Sequence, residues 1–338
     1  MRKSFVSGTA ATRIIAVICS LGLCVTLAAC TGSSKGASST NSTTSSNSAL
    51  KNMKQLAGVT ARGKLGPPPR ISFHPPMSVD NNSYAILQKG NGATISDGDR
   101  VCAQGIALNA KDGTELMNTW TKNTPDCSLV ISTSSTNSAY YALFKGQRIN
   151  TTIAIGVNDS SSSTSSSTTS SSYIMALTLV SKKKALTRAT GDKVTTIPSD
   201  LPTVTLASSG KPSLNLNGYK PGGQMVSQTL IKGKGRTLTS SDSVTVNYTG
   251  WVSSNGTAKQ FDSSWDRKSA FALTLGSGVI DGSTKGLQAP TVGSQVLLVI
   301  PPSEGYGSKV QKNSSGKVTI PANSTLYFVI DILYAAQS

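Results

Sequence analysis

Histidine is all but missing from this chain. His74 is the only one in 338 residues, and it sits between Phe73 and Pro75. A Ser–His–Asp arrangement therefore has no base for Ser263 or Ser264. With no second histidine and no cluster of Asp and Glu, a metal site is not expected either. No glycine-rich loop leads into a Lys-Ser/Thr helix start, which removes phosphate-loop chemistry, and no cofactor is implied. Acidic residues are scarce: 15 Asp and Glu face 32 Lys and Arg, for a net charge of +17. The cations are scattered apart from Lys182, Lys183 and Lys184. No basic stripe with interleaved aromatics appears, so nucleic acid is not an expected partner. Such an exterior suits anionic lipid or wall polymer, or is simply a solvated surface. Aromatics make up only 5%, so part of the chain cannot build a core.

Cysteines are few: Cys19, Cys24, Cys30, Cys102 and Cys127. Met1, Arg2 and Lys3, with Arg13, precede an apolar run over 14–27, the anatomy of a secretory signal and short for a membrane span. The residues Leu27-Ala28-Ala29-Cys30 resemble the lipobox of bacterial lipoprotein signals. The resemblance implies a signal peptide over 1–29, lipid on Cys30, and a mature chain on the extracytoplasmic face of the cell membrane. An uncleaved anchor and an ordinary signal peptide are the alternatives. Residues 31–48 are nearly all Ser, Thr, Asn, Gly and Ala and cannot bury apolar area to offset ordering, so 30–66 is expected to be a flexible tether. Cys102, on an expected strand, and Cys127, in an expected loop region, form an even pair in an exported chain, which suits a disulfide and leaves the pairing open.

The densest pattern lies in 244–330. Val244, Val246 and Tyr248 alternate onto one face, as a half-buried strand requires. Residues 296–300 and 327–333 are continuous apolar runs suited to central strands. Gly, Pro and Asn turns separate them, and one short helical candidate spans 283–288. Antiparallel strands around one short helix make an α+β domain.

Within it, five blocks occur in order: Tyr248-Thr249-Gly250, Phe261-Asp262-Ser263-Ser264 with Arg267, Leu275-Gly276 followed by Val279-Ile280-Asp281-Gly282, Ile300-Pro301-Pro302 with Tyr306-Gly307, and Ile320-Pro321-Ala322-Asn323 with Leu326. Together they resemble the FKBP-type peptidyl-prolyl cis-trans isomerases over roughly a hundred residues. The resemblance implies a catalytic set of Tyr248, Phe261, Asp262, Tyr306 and Phe328. It adds Arg267, Phe271, Val279, Ile280, Ser283 and Ile320 as substrate-binding residues. Asp262 would be a buried carboxylate held by Arg267 and the Tyr248 hydroxyl, while the Ile280 N–H and the Tyr306 hydroxyl would grip substrate carbonyls. At any single position an apolar or aromatic residue is more often plain core; together, at this spacing, they read as a site. The family usually has Trp three residues after the Ile, at the pocket floor. Ser283 stands there, so weaker macrolide binding and slower catalysis are expected.

An internal repeat accompanies this domain. Leu87, Lys89, Gly90, Gly92, Thr94, Asp99, Val101 and Gly113 each find the same residue 143 positions on. Gly146-Gln147-Arg148 before a strand looks like Gly293-Ser294-Gln295, and 173–180 imitates the closing strand. Residues 67–183 are therefore expected to be a degenerate FKBP-like domain, with Gly105 in the place of Tyr248 and Leu116-Met117-Asn118 in that of Phe261-Asp262-Ser263. Its serine run, 160–172, is expected to be a long polar loop. A linker over 184–202 and the isomerase domain over 203–338 complete the expected order. The expected partners are proline-containing unfolded or secreted polypeptides, the membrane through Cys30, and macrolide inhibitors. A non-catalytic binding or chaperone module of the same fold is the alternative function.

Overall fold

The computed structural model describes residues 50, 53–158 and 172–336. The expected signal peptide, Cys30 and nearly all of the serine run lie outside the described residues. The chain forms two compact units, Met1–Ala185 and Leu186–Ser338.

The first unit contains β1 (Thr60–Arg62), β2 (Arg70–Ser72), β3 (Ser83–Gln88), β4 (Asp99–Asn109), β5 (Glu115–Asn118), β6 (Asp126–Val130), α1 (Ser138–Phe144), β7 (Thr152–Asn158) and β8 (Ser172–Lys184). Its main sheet runs β3-β7-β8-β4-β5, with β6 also on β4. Strand alternation sends Ile153, Ile155, Met175 and Leu177 to the helix side, where Leu143 and Phe144 of α1 pack. Ala154 and Ile174 point the other way, against Leu56, Val59 and Val79. Asn137 caps α1, its side chain accepting the Ala139 N–H at 2.9 Å.

The second unit contains β9 (Gly191–Lys193), β10 (Thr203–Leu206), β11 (Pro212–Asn215), β12 (Val226–Gly233), β13 (Ser243–Ser254), β14 (Thr257–Ser263), β15 (Phe271–Thr274), α2 (Asp281–Gly286), β16 (Gln295–Ile300), β17 (Gln311–Lys312), β18 (Val318–Ile320) and β19 (Leu326–Ala336). The order of its main sheet is β14-β13-β19-β16-β12-β9, with β15 on β13. Val296, Leu298, Ile300, Ile330 and Ile332 form the helix-side core. Leu297, Val299, Tyr327 and Val329 face the opposite way, under Val204 and Leu214 of the β10–β11 hairpin. The helix α2 is poor in helix formers, yet glycine lets it lie close to the sheet. A Cβ on Gly282 would sit 2.4 Å from the Ile300 side chain, and one on Gly286 2.6 Å from that of Leu298.

Apart from β9, the second sheet repeats the strand order of the first. The correspondence is close in detail. Cys102/Ala103 and Thr245/Val246, 143 positions apart, both mark a bulge against the closing strand. Thr60↔Ser72 in the β1–β2 pair corresponds to Thr203↔Asn215 in β10–β11.

Five expectations need correction. Residues 50–66 are not without structure: Met53, Leu56 and Val59 are buried and β1 lies there, so the first unit begins well before residue 67. These side chains cover sheet faces that are distant in sequence, which local composition does not reveal. The expected linker, 184–202, contributes β9, paired to β12 from Ile231↔Lys193 to Gly233↔Gly191. The helix starts two residues earlier than 283 and ends at Gly286. Gly146 is not the counterpart of Gly293. That place is held by Asn150, whose φ of 75° matches the 94° of Gly293, since Asn tolerates the left-handed region. Finally, Cys127 lies in a strand, not a loop.

Cys102 on β4 and Cys127 on β6 are joined in a disulfide.

Candidate active site

The central strands of the second unit bring Tyr248, Asp262 and Arg267 together. The Tyr248 hydroxyl donates to Oδ2 of Asp262, and Arg267 Nη1 donates to Oδ1. Arg267 Nη2 closes the triangle on the Tyr248 oxygen at 3.1 Å. The backbone holds the acid in place: the Ser263 N–H donates to Asp262 Oδ1 at 2.8 Å, and the Ser264 hydroxyl accepts the Tyr248 N–H at 2.9 Å. The acid is not buried, in contrast to the expectation. The Asp262 side chain is 36% exposed and that of Arg267 46%, because both lie at the open edge of β14 and the turn after it. Water therefore screens the pair, which contributes little to stability.

Three phenylalanine rings gather around the triangle. Tyr248 meets Phe271 edge-on at 5.6 Å between centroids and Phe328 at 6.2 Å. Phe261 meets Phe328 edge-on at 5.6 Å, a favoured aromatic geometry. Gly250 makes this possible: a Cβ there would lie 2.6 Å from Phe261 and 2.8 Å from Phe328. Gly250 closes the Tyr-Thr-Gly block, and only the convergence of the two rings shows why a glycine is needed there. Ile280 and Phe328 pack against the core that includes Ile320. Phe271 and Tyr306 are exposed on the rim.

Ile280 occupies the N-cap position of α2. Its N–H has no hydrogen-bond partner among the described residues, and neither has the Tyr306 hydroxyl. Val279 precedes it, half-buried, and Ser283 is half-buried in the first turn of α2, its N–H bonded to the Ile280 carbonyl at 3.0 Å. Burial, then the hydrogen bond to Asp262, pushes the Tyr248 phenol up to about 12, so it remains a donor at neutral pH. Burial, then the Asp262 charge, pushes the Tyr306 phenol up. Burial opposes the Arg267 charge, but its bonds to Tyr248 and Asp262 hold its pKa above the ordinary value.

A half-open aromatic bowl with unpaired donors on its rim can hold a short apolar segment by its side chain and its carbonyls. It has no nucleophile–base pair. Such an arrangement suits peptide binding, and conformational rather than covalent chemistry. The family model for FKBP-type peptidyl-prolyl cis-trans isomerase matches residues 234–333. The FK506-binding protein of Neisseria meningitidis is 38% identical over 112 residues, covering 33% of this chain and 95% of that protein. The FKBP-type peptidyl-prolyl cis-trans isomerase FkpA of Escherichia coli is 38% identical over 109 residues, 32% of this chain and 37% of that protein. The crystal structure of the Escherichia coli protein superposes with a TM-score of 0.28 at 34% identity, over 39% of this chain and 51% of that one. The chain belongs to the FKBP-type peptidyl-prolyl cis-trans isomerase family, through its second unit.

Proposed function

We propose that the chain is a membrane-anchored, extracytoplasmic prolyl isomerase that assists the folding of secreted proteins. The observation that carries the isomerase reading is the Tyr248–Asp262–Arg267 triangle beside the rings of Phe261, Phe271 and Phe328. Rotation about an X–Pro bond is opposed by amide resonance, about 18–20 kcal/mol, and uncatalysed exchange takes tens to hundreds of seconds. No bond to the substrate needs to form. The twisted amide is less polar across C–N than the planar one, so an apolar bowl favours it. The Ile280 N–H and Tyr306 hydroxyl would hold flanking carbonyls while the prolyl bond turns, and Asp262 would face the substrate carbonyl with its charge balanced by Arg267. Val279 and Ile320 would complete the apolar wall, and Ser283 would leave its floor open to weakened macrolide binding.

The first unit is a degenerate copy of the second and has a non-catalytic role. The shared strand order and the common 143-residue offset support duplication, and Gly105 and Met117 in the places of Tyr248 and Asp262 remove the site. The anchor reading rests on Leu27-Ala28-Ala29-Cys30 alone.

A protease-coupled prolyl-peptide assay on the full chain tests the catalytic reading. Turnover should be present and should fall at least ten-fold in Asp262→Leu, whose exposed pair costs only about 1 kcal/mol of stability when broken. Equal rates in the two folded proteins would refute the assigned site. Cys30→Ala should release the protein from membranes; retention of that variant in high salt would refute the lipid anchor.

A further inference from the structure

We propose that the β17–β18 hairpin selects the substrate, favouring prolyl peptides with acidic residues two to four positions from the proline. The inference rests on the isomerase reading above. The hairpin springs from two site residues, Tyr306 before it and Ile320 at its end. Its register pairs Gln311 with Ile320 and Lys312 with Val318. Opposed residues share a face, so Ile320, 4% exposed, roots one face in the core. Past a shift in the register, Lys312 and Val318 are exposed, as is Val310 two residues before Lys312. The tip is ordered by Asn313, whose Oδ1 accepts the N–H groups of Ser315 and Lys317 at 3.2 and 2.9 Å.

This outer face is both apolar and one-signed. Among the described residues seven large apolar side chains are exposed, and four of them are Phe271 and Tyr306 at the site and Val310 and Val318 on the hairpin. A merely solvated turn explains lysines but not two valines 44% exposed. The hairpin carries Lys309, Lys312 and Lys317, and no acid occurs between Glu304 and Asp331. None of the three lysines has an ion-pair partner among the described residues. Arg267, bound to Asp262 in the site, is followed by an exposed Lys268. The nearby acids are largely committed: Asp262 to Arg267 and Glu304 to Lys285, with Asp281 remaining. The face is complementary to an acidic peptide with apolar side chains.

Spacing sets the reach. The Lys309 N–H donates to the Tyr306 carbonyl at 3.0 Å, one tight turn, which puts their Cα atoms within about 7 Å. An extended peptide covers that in about two residues, at roughly 3.4 Å each. Lys312 and Lys317 lie further along the same hairpin. A unit pair at about 7 Å in water changes an equilibrium about three-fold. Salt weakens it over a Debye length of about 10 Å at 0.1 M.

The test measures kcat/KM of the full chain by exchange NMR. The peptides are alike except for Glu, Gln or Lys at positions two to four residues before the proline, and a second series varies the same positions after it. In one series the order should be Glu over Gln over Lys, with a Glu-to-Lys ratio of about ten at low salt that shrinks at high salt. In the protein carrying Lys309→Glu, Lys312→Glu and Lys317→Glu, with its fold checked by thermal melting, the order should invert. The ratio is taken within one protein, so a general change in rate does not enter it. A ratio near one in both series, with the Gln peptides turned over, overturns this proposal and leaves the isomerase reading intact. No turnover of any peptide by the folded chain overturns that reading as well. If triple reversal leaves the ratio unchanged but abolishes sedimentation with phosphatidylglycerol vesicles, the lysines serve a lipid surface and the proposal falls.

Discussion

At the heart of each unit the backbone is the same and the chemistry is different. In the first, the Thr119 hydroxyl accepts the Gly105 N–H at 2.8 Å; in the second, the Ser264 hydroxyl accepts the Tyr248 N–H at 2.9 Å. The first ladder sets Ala107 opposite Met117 and Met175. The second sets Gly250 opposite Asp262 and Phe328. Gly105, Met117 and Met175 thus take the places of Tyr248, Asp262 and Phe328. The room is not left empty. A Cβ on Gly105 would meet Met117 at 3.2 Å, Leu177 at 3.3 Å and Met175 at 3.5 Å, the gap-filling that flexible methionine does well. Backbone pairing and core packing hold such a sheet together, and neither requires a tyrosine or an acid. The same strand order can therefore carry these side chains or do without them.

The disulfide offers the largest separation of the two units. The second unit has no cysteine, so reduction should destabilise only the first, by about 2–4 kcal/mol. Calorimetry with and without reductant should show one of two transitions move; a shift of both, or of neither, would contradict it. Next is the small residue under the rings. Gly250→Ala places a Cβ where Phe261 and Phe328 meet, and overpacking of that kind costs about 1–3 kcal/mol, with prolyl turnover falling about ten-fold or more as the rings are displaced. The first unit already carries Ala107 at that position without strain, because no rings converge there. Unchanged turnover in Gly250→Ala would show that the ring cluster is not the site.

A third probe is acid. Burial raises the Asp99 pKa, but bonds from Lys182, the Ser96 N–H and Lys184 outweigh it and bring it down to about 2. The folded value is below the unfolded one of 3.8. The stabilisation is therefore present above pH 4 or so and is lost as pH falls toward 2. In the second unit the buried Asp331 is shifted the opposite way, raised by burial against its bonds from Ala189 and Gln295. Melting of the first transition against pH should flatten below about pH 4 in Asp99→Asn; an unaltered profile would assign its acid sensitivity elsewhere. The smallest effect is expected for Tyr306→Phe, which removes one donor and keeps the ring. A loss of about 0.5–1.5 kcal/mol corresponds to a few-fold in kcat/KM, and no loss would leave the hydroxyl without a part in binding.

The parts of the fold legible in the sequence were those governed by neighbours in the chain. The alternation of Val244, Val246 and Tyr248, the apolar run 296–300 and the glycine turns all named their elements. The correspondence between the two units was legible wherever their residues are identical. It slipped at Asn150, where a different residue serves the same left-handed turn as Gly293. Segments 53–59 and 191–193 read as tether and linker because their worth lies in what they cover. Val59 alone does not announce that Ala154 and Ile174 wait for it. Of the candidate site, the aromatic and acidic residues could be picked out by family resemblance. Gly250 could not be given its role, since an absent side chain becomes meaningful only when two rings are known to converge on it.

The sequence by itself determined the strand periods, the short glycine-rich helix, the excess of positive charge and the run of identical residues 143 positions apart. These follow from rules that act over a few residues, or from direct comparison of one stretch with another. Tertiary structure alone decided that Asp262 is half in water rather than buried, that Cys102 reaches Cys127, and that a hairpin of Gln311–Lys312 on Val318–Ile320 leaves Val310, Lys312 and Val318 exposed. Those outcomes depend on which strands become neighbours. Burial and electrostatics are set by atoms brought close from far along the chain, and local pattern holds no record of them.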